Sequence, residues 1–232
     1  MTSEPQTAPA PTGAKGTTQT VELTRAQRTV ARRTAESKAT IPDFRLAVEA
    51  DVTDLLAALP ADVALDDATV KAAALALRDH PRVNGAYADG AFELHSRVNV
   101  GVAVSAPDTL LVPTIFDADA KPVAAIAAER AALTAAVLDG TIASPKLSGA
   151  TFTVAITTAA SLTPIIAPGQ AAALAAGAPV ERLALDGAGT PTVRRRLTLT
   201  LTADHRILYP ADAAAFLHRV GELLATPATL LA

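Results

Sequence analysis

Two periodicities of apolar residues divide the chain into its elements. Residues 23–38 place apolar side chains at helical spacing, with Thr24 set to cap the first turn and Pro42 closing the segment. Residues 44–52 switch to period two, so that Phe44, Leu46, Val48, Ala50 and Val52 share one face of an expected strand. Residues 52–59 read as a short helix and 68–78 as a buried one. Strands are expected at 92–94, 98–104 and 110–116, the last crossed by Pro113, which predicts an edge or a bulge. A helix at 123–138, strands at 151–157, 171–176 and 194–202, and a closing helix at 211–225 complete the reading. Helices and strands mix without strict alternation, which predicts a single α/β domain: a mixed β-sheet flanked by helices.

The first 20 residues depart from both periods. They are rich in Thr, Pro, Ala, Ser and Gly, so 1–20 is expected to be a disordered lead-in and 21–232 the folded domain. No internal repeat is visible.

Composition narrows the chemistry. Half of the 232 residues are apolar but only 3% are aromatic, so the core must be built from small aliphatic side chains. A net charge of -3, spread along the chain, gives no case for nucleic acid. The lack of cysteine excludes disulfides, thiolate metal sites and cysteine nucleophiles. No uncharged apolar run reaches about 18 residues, so no membrane span is expected. The N-terminus lacks the basic-then-apolar order of a signal peptide, and the expected location is the cytoplasm.

Residues 199–217 carry the sharpest chemical signal: an alternating strand, then Ala203, Asp204, His205 and Arg206, then a helix. A histidine at a strand end, before a turn, projects into solvent or a cleft, and its pKa suits proton transfer near neutrality. Arg194, Arg195 and Arg196 form a basic run that suits phosphates, although such a run at a strand start is commonly just solvated. His80, His95 and His218 read as structural, and Gly187 and Gly189 as a hairpin or loop rather than a phosphate cradle, because no helix follows them.

Several separated blocks resemble the catalytic domain of the dihydrolipoamide acyltransferases of 2-oxo acid dehydrogenase complexes. Residues 198–217 are similar to that family's terminal signature of strand, Asp-His-Arg, two apolar residues, Asp-Gly and helix. Residues 28–44, RTVARRTAESKATIPDF, resemble its opening helix and strand, and residues 72–83 its second helix, which runs into a His-Pro-x-x-Asn turn at His80 to Asn84. VNVGVAVS at 98–105, LVPTI at 111–115, GATFTV at 149–154 and TPIIAPGQA at 163–171 resemble further family blocks in order. The resemblance covers residues 23–232.

That resemblance implies a chloramphenicol acetyltransferase-like fold, a homotrimer or multiple of trimers, and active sites between subunits. It implies acetyl-CoA as acyl donor, with no metal and no lipoyl attachment in this chain. His205 takes the place of the base that deprotonates the acceptor. Three positions depart from the family pattern. Tyr209-Pro210 stands for Asp-Gly, Ala155 for the serine that stabilises the oxyanion, and Gln27, next to Arg28, for an arginine of the first helix. In related acyltransferases an arginine and an aspartate pair beside the active-site turn. Replacing both, by Gln27 and Tyr209, leaves neither charge unpaired. If the strand runs on past Ala155, Thr153 and Thr157 share its face and are candidate oxyanion donors, although ordinary strand threonines are the simpler reading.

The chain further resembles free-standing acetyltransferases of actinobacterial tetronate pathways. The expected reaction is therefore O-acetylation of a small-molecule hydroxyl, such as a tetronate hydroxymethyl group, with a His base. Two alternatives stay open: acyl transfer to a lipoyl domain in trans, and a catalytically silent core subunit of a dehydrogenase complex.

Overall fold

A computed structural model describes residue 14 and residues 16–107 and 109–231. Most of the expected lead-in, residues 1–13 and 15, therefore lies outside the described residues. The chain runs α1 (Arg25–Thr40), β1 (Asp43–Asp51), α2 (Thr53–Ala58), α3 (Leu65–Asp79), β2 (Gly85–Ala88), β3 (Ala91–Leu94), β4 (Val100–Val102), β5 (Val104–Ala106), β6 (Thr109–Leu111) and β7 (Thr114–Ile115). It continues through α4 (Val123–Leu138), β8 (Phe152–Ile156), β9 (Ala172–Ala176), β10 (Val180–Leu185), β11 (Pro191–Asp204), α5 (Pro210–Ala225) and α6 (Pro227–Leu231).

The main sheet is mixed, in the order β1-β11-β9-β8-β4-β7, with β10 pairing β11. β8 lies parallel to β4 and β9, while β11 is antiparallel to β1 and β9. Two hairpins, β2–β3 and β5–β6, stand outside it. The expected α/β domain with a mixed, helix-flanked sheet is the observed one.

Alternation along β11 explains the layering. Leu197, Leu199, Leu201 and Ala203 are buried in one cluster with Phe216, Leu217 and Val220 of α5 and Ala72, Ala73 and Ala76 of α3. The opposite face of the strand carries Thr198, Thr200, Thr202 and Asp204, and the last three are buried as well. Small side chains let α3 come close, and two aromatics fill the remaining space: Phe152 and Phe216 meet edge-on at 5.6 Å. Burial of each large side chain in this core contributes about 1.5–3 kcal/mol.

The first helix starts as the sequence predicts. Thr24 Oγ1 accepts from Gln27 N at 3.2 Å and Gln27 Oε1 accepts from Thr24 N at 2.8 Å, a reciprocal capping box. Two expectations need correction, and two strands were missed. The strand expected at 98–104 is β4 and β5, interrupted at Ala103, and that at 110–116 is β6 and β7, interrupted at Val112 and Pro113. Proline has no N–H for a ladder, so the strand breaks there. β10 and β2 were not expected: both are hairpin partners, held by pairing with β11 and β3 rather than by a pattern of their own.

Candidate active site

β11 ends at Asp204, and α5 begins at Pro210. The intervening turn presents His205. Its backbone N donates to Pro42 O at 3.0 Å, which ties the turn to the start of β1. Asp204, only 1% exposed, accepts from Arg206 N at 3.0 Å and from Arg206 Nη2 at 2.7 Å. The hydrogen-bonded Asp204 carboxylate raises the pKa of the Arg206 guanidinium, which also lies 4.4 Å above the Tyr87 ring. With both neighbours tied inward, the His205 side chain points out and is exposed.

Two rings pack on the imidazole. Phe44 of β1 lies 4.8 Å away, and Tyr209, the N-cap of α5, meets it edge-on at 5.9 Å. Arg82 sits behind Tyr209. Sequence reading passed over it, although it lies inside the His80–Asn84 turn, and only the fold brings that turn beside residue 207.

Ala155 belongs to β8 and occupies a different part of the sheet. It pairs with Ala175, which pairs with Thr200, five residues short of His205. At ~3.3 Å per residue, the two positions are about 17 Å apart along the strands. Of the two candidate donors, Thr153 has its hydroxyl engaged, donating to Gln170 Oε1 at 2.8 Å. Thr157 differs. The strand stops at Ile156, and the Thr157 hydroxyl accepts from Ala159 N at 3.1 Å, which leaves its proton free to donate. The loop folds tightly here, because Ala178 N donates to Ala159 O, and a Cβ on Gly177 would stand 2.1 Å from Ala160 O.

Thr157 lines a pocket of about 460 Å³ at the ends of β4, β8 and β9. It is lined further by Val102, Ile156, Leu197, Thr158, Asp66 and Arg130. Burial raises the Asp66 carboxyl above its ordinary range despite Arg130 at 3.8 Å.

The remaining candidates have other work. Arg194 pairs with Asp51 at 2.9 Å, Arg195 with Glu181 at 3.3 Å and Arg196 with Glu49 at 3.6 Å. These charges are already compensated, so the run braces the β10–β11 hairpin against β1 and α2 rather than standing open to phosphates. Gln27 is committed to capping α1. Its carboxamide is therefore not the neutral partner of Tyr209, whose ring is stacked on Arg82. His80 packs edge-on against Phe216 at 6.1 Å, and the backbone N of His95 donates to Asn84 O. Among the described residues no cluster of three His, Cys, Asp or Glu forms a metal site. No described helix is long and apolar enough to cross a membrane.

Comparison with known proteins agrees with this fold. The sequence profile of the 2-oxoacid dehydrogenases acyltransferase (catalytic domain) matches residues 15–232. The mitochondrial dihydrolipoyllysine-residue acetyltransferase component of the Caenorhabditis elegans pyruvate dehydrogenase complex is 31% identical, over 100% of this chain and 51% of its own length. This chain thus spans about half the length of the curated relatives it matches. Azotobacter vinelandii dihydrolipoamide acetyltransferase superposes with a TM-score of 0.87 at 27% identity, covering 99% of this chain and 100% of that one. A serine, a histidine and an asparagine have been investigated for their role in its catalytic mechanism. The cubic core of a pyruvate dehydrogenase multienzyme complex also superposes at 0.87, with 28% identity and the same coverage. Chloramphenicol acetyltransferase, at 14% identity and a TM-score of 0.53 over 83% of this chain and 94% of its own, shares the fold alone.

Proposed function

This chain belongs to the 2-oxoacid dehydrogenase acyltransferases by its catalytic domain, and from that premise we propose that it moves an acetyl group between coenzyme A and a dihydrolipoyl thiol, with His205 as the base. The dihydrolipoyl group is carried by a lipoyl domain outside these 232 residues. The observation that carries this reading is the His205 turn. An exposed imidazole stands at the end of the longest strand of the sheet, on a backbone pinned by Pro42 and by the Asp204–Arg206 pair.

The chemistry balances without a further reactant. His205 takes the proton of the dihydrolipoyl thiol, and the thiolate attacks the acetyl carbonyl carbon of acetyl-CoA. The tetrahedral oxyanion collapses, the bond to the CoA sulfur breaks, and the imidazolium returns its proton to the departing thiolate. Each hydrogen bond aimed at the oxyanion accelerates such a step by about 10²–10³. Thr157 is the hydroxyl best disposed to supply one, and the pocket beside it suits the slender, partly polar arm of an acyl-CoA.

His205 and Thr157 lie on distant parts of one chain, so the reading includes assembly. A second copy supplies the Thr157 side of the site to the His205 of the first, in the trimer that the family resemblance implies. The expectation of a small-molecule hydroxyl as acceptor gives way here, because the named relatives are lipoyl-linked acetyltransferases. One observation favours a second reading, a catalytically silent core subunit: Ala155 has no hydroxyl.

Chromatographic detection of acetyl-dihydrolipoamide, formed from acetyl-CoA and dihydrolipoamide, separates these readings. Turnover is expected, and His205→Ala lowers it by about 10²–10⁴ while the protein stays folded. A parent without turnover removes the lipoyl-transfer reading and leaves the silent subunit, whereas a mutant that turns over as fast as an active parent removes His205 as the base. Acetylation of a hydroxymethyl tetronate alone restores the small-molecule acceptor.

A further inference from the structure

The His205 turn contains a stack that the base assignment does not use. Arg82 Cζ lies 5.4 Å from the centre of the Tyr209 ring and 5.2 Å from that of Phe92. Its Nη2 donates to Ile207 O at 2.6 Å and its Nη1 to Asp212 Oδ2 at 3.4 Å. These bonds fix the guanidinium across 125 residues of sequence, from the turn after α3 to the turn before α5. Its Nε is buried with no hydrogen-bond partner. Hydrogen bonding thus leaves part of the cation unanswered, and the two rings cover it.

Tyr209 is 49% exposed, so burial alone does not fix its ring. Arg82 lies against it, and the ring in turn meets His205 edge-on, with Phe44 as the other ring on the imidazole. In the Azotobacter vinelandii enzyme the asparagine under study lies four residues after the histidine, the spacing of Tyr209 from His205. An amide can orient an imidazole by hydrogen bonds, whereas a ring can do so by packing alone.

We propose that Arg82 and Tyr209 are positioning residues for His205: Arg82, held between Phe92 and Tyr209, fixes the Tyr209 ring, and that ring fixes the imidazole. Neither touches the reacting atoms. The consequence for the reaction rests on His205 being the base. The geometric claim does not.

The test combines histidine ring signals with kinetics. In protein labelled with ¹³C-histidine, His205→Gln identifies the His205 ring C–H correlation, which carries ring-current shifts from Phe44 and Tyr209. Tyr209→Phe keeps the ring and leaves that correlation in place. Tyr209→Leu and Arg82→Met move it towards the position of a free imidazole. With acetyl-CoA and dihydrolipoamide, Tyr209→Phe keeps the parental kcat. Tyr209→Leu and Arg82→Met lower kcat by about 10–100-fold with KM for acetyl-CoA unchanged, because a misplacement of ~1 Å costs about 10²-fold. Arg82→Lys, which keeps the charge opposite Asp212 but not the planar stack, stands in if Arg82→Met does not fold. An unmoved His205 signal in the Arg82 variant, which keeps both rings, overturns the proposal. So does a Tyr209→Phe variant as impaired as Tyr209→Leu, which would assign the effect to the hydroxyl. The ring signals need no substrate, so an inactive parent sinks the proposed function while this inference is still decided.

Discussion

Asp204 and Arg206 form a two-point ion pair across His205, with Arg206 Nε 2.9 Å from Asp204 Oδ1 and Nη2 2.7 Å from Oδ2. Arg206 N also donates to Asp204 Oδ1 at 3.0 Å, so the pair closes a turn around His205, whose side chain is exposed. Asp204→Asn keeps the shape but weakens the pair and leaves Arg206 without its counter-ion. A loss of about 1–3 kcal/mol is expected, read as a lower denaturant midpoint, together with a lower kcat. An Asp204→Asn protein with parental midpoint and kcat would show that the pair does not set the turn.

Thr157 and Ala155 make a coupled test of the oxyanion side. If Thr157 donates the bond that a serine supplies elsewhere in the family, Thr157→Val lowers kcat by about 10²-fold. Adding Ala155→Ser to that variant recovers most of the loss. A Thr157→Val enzyme at parental rate assigns the oxyanion to other donors.

Assembly is testable without substrate. If the site joins His205 to the Thr157 side of the sheet, the ~17 Å between the Ala155 and His205 levels, at about 3.3 Å per residue, calls for a second copy to complete it. Light scattering on a size-exclusion column is expected to report a trimer, or a multiple of three, at micromolar concentration. A stable monomer with full turnover would place the whole site inside one chain.

Acid stability carries the mark of Glu129. Burial alone would raise its carboxyl, but hydrogen bonds from Lys121 and Lys146 outweigh burial and hold it below its ordinary value of 4.5. A depressed carboxylate binds its proton less readily in the folded state. Its stabilisation is therefore complete above pH 4.5 and is lost as pH falls through the folded value. Glu129→Gln should melt below the parent at pH 7, with the two melting curves converging as pH is lowered past 4. A gap that persists unchanged at pH 3 would assign the loss to packing rather than to charge.

The sequence by itself determined the main layers and the place of His205 at the end of a strand. Period two along β11 assigned Leu199 and Leu201 to one face and Thr200 and Thr202 to the other, and the structure buries both faces. The capping threonine, the closing helix and the Asp204-His205-Arg206 run were legible because each is encoded within a few residues of itself. Only the tertiary structure decided which side chains are free to act. Thr153 and Thr157 look alike in sequence, yet Gln170 takes the hydroxyl proton of the first and leaves that of the second. The basic run at 194–196 looks open to phosphates until β1, α2 and β10 bring carboxylates to it. Arg82 carries no signal of its own, because the groups it joins, Ile207, Tyr209 and Asp212, are more than 120 residues away. Periodicity records which face of an element avoids water. Which distant groups then satisfy one another depends on how the sheet closes, and that pairing is written in no local stretch of the chain.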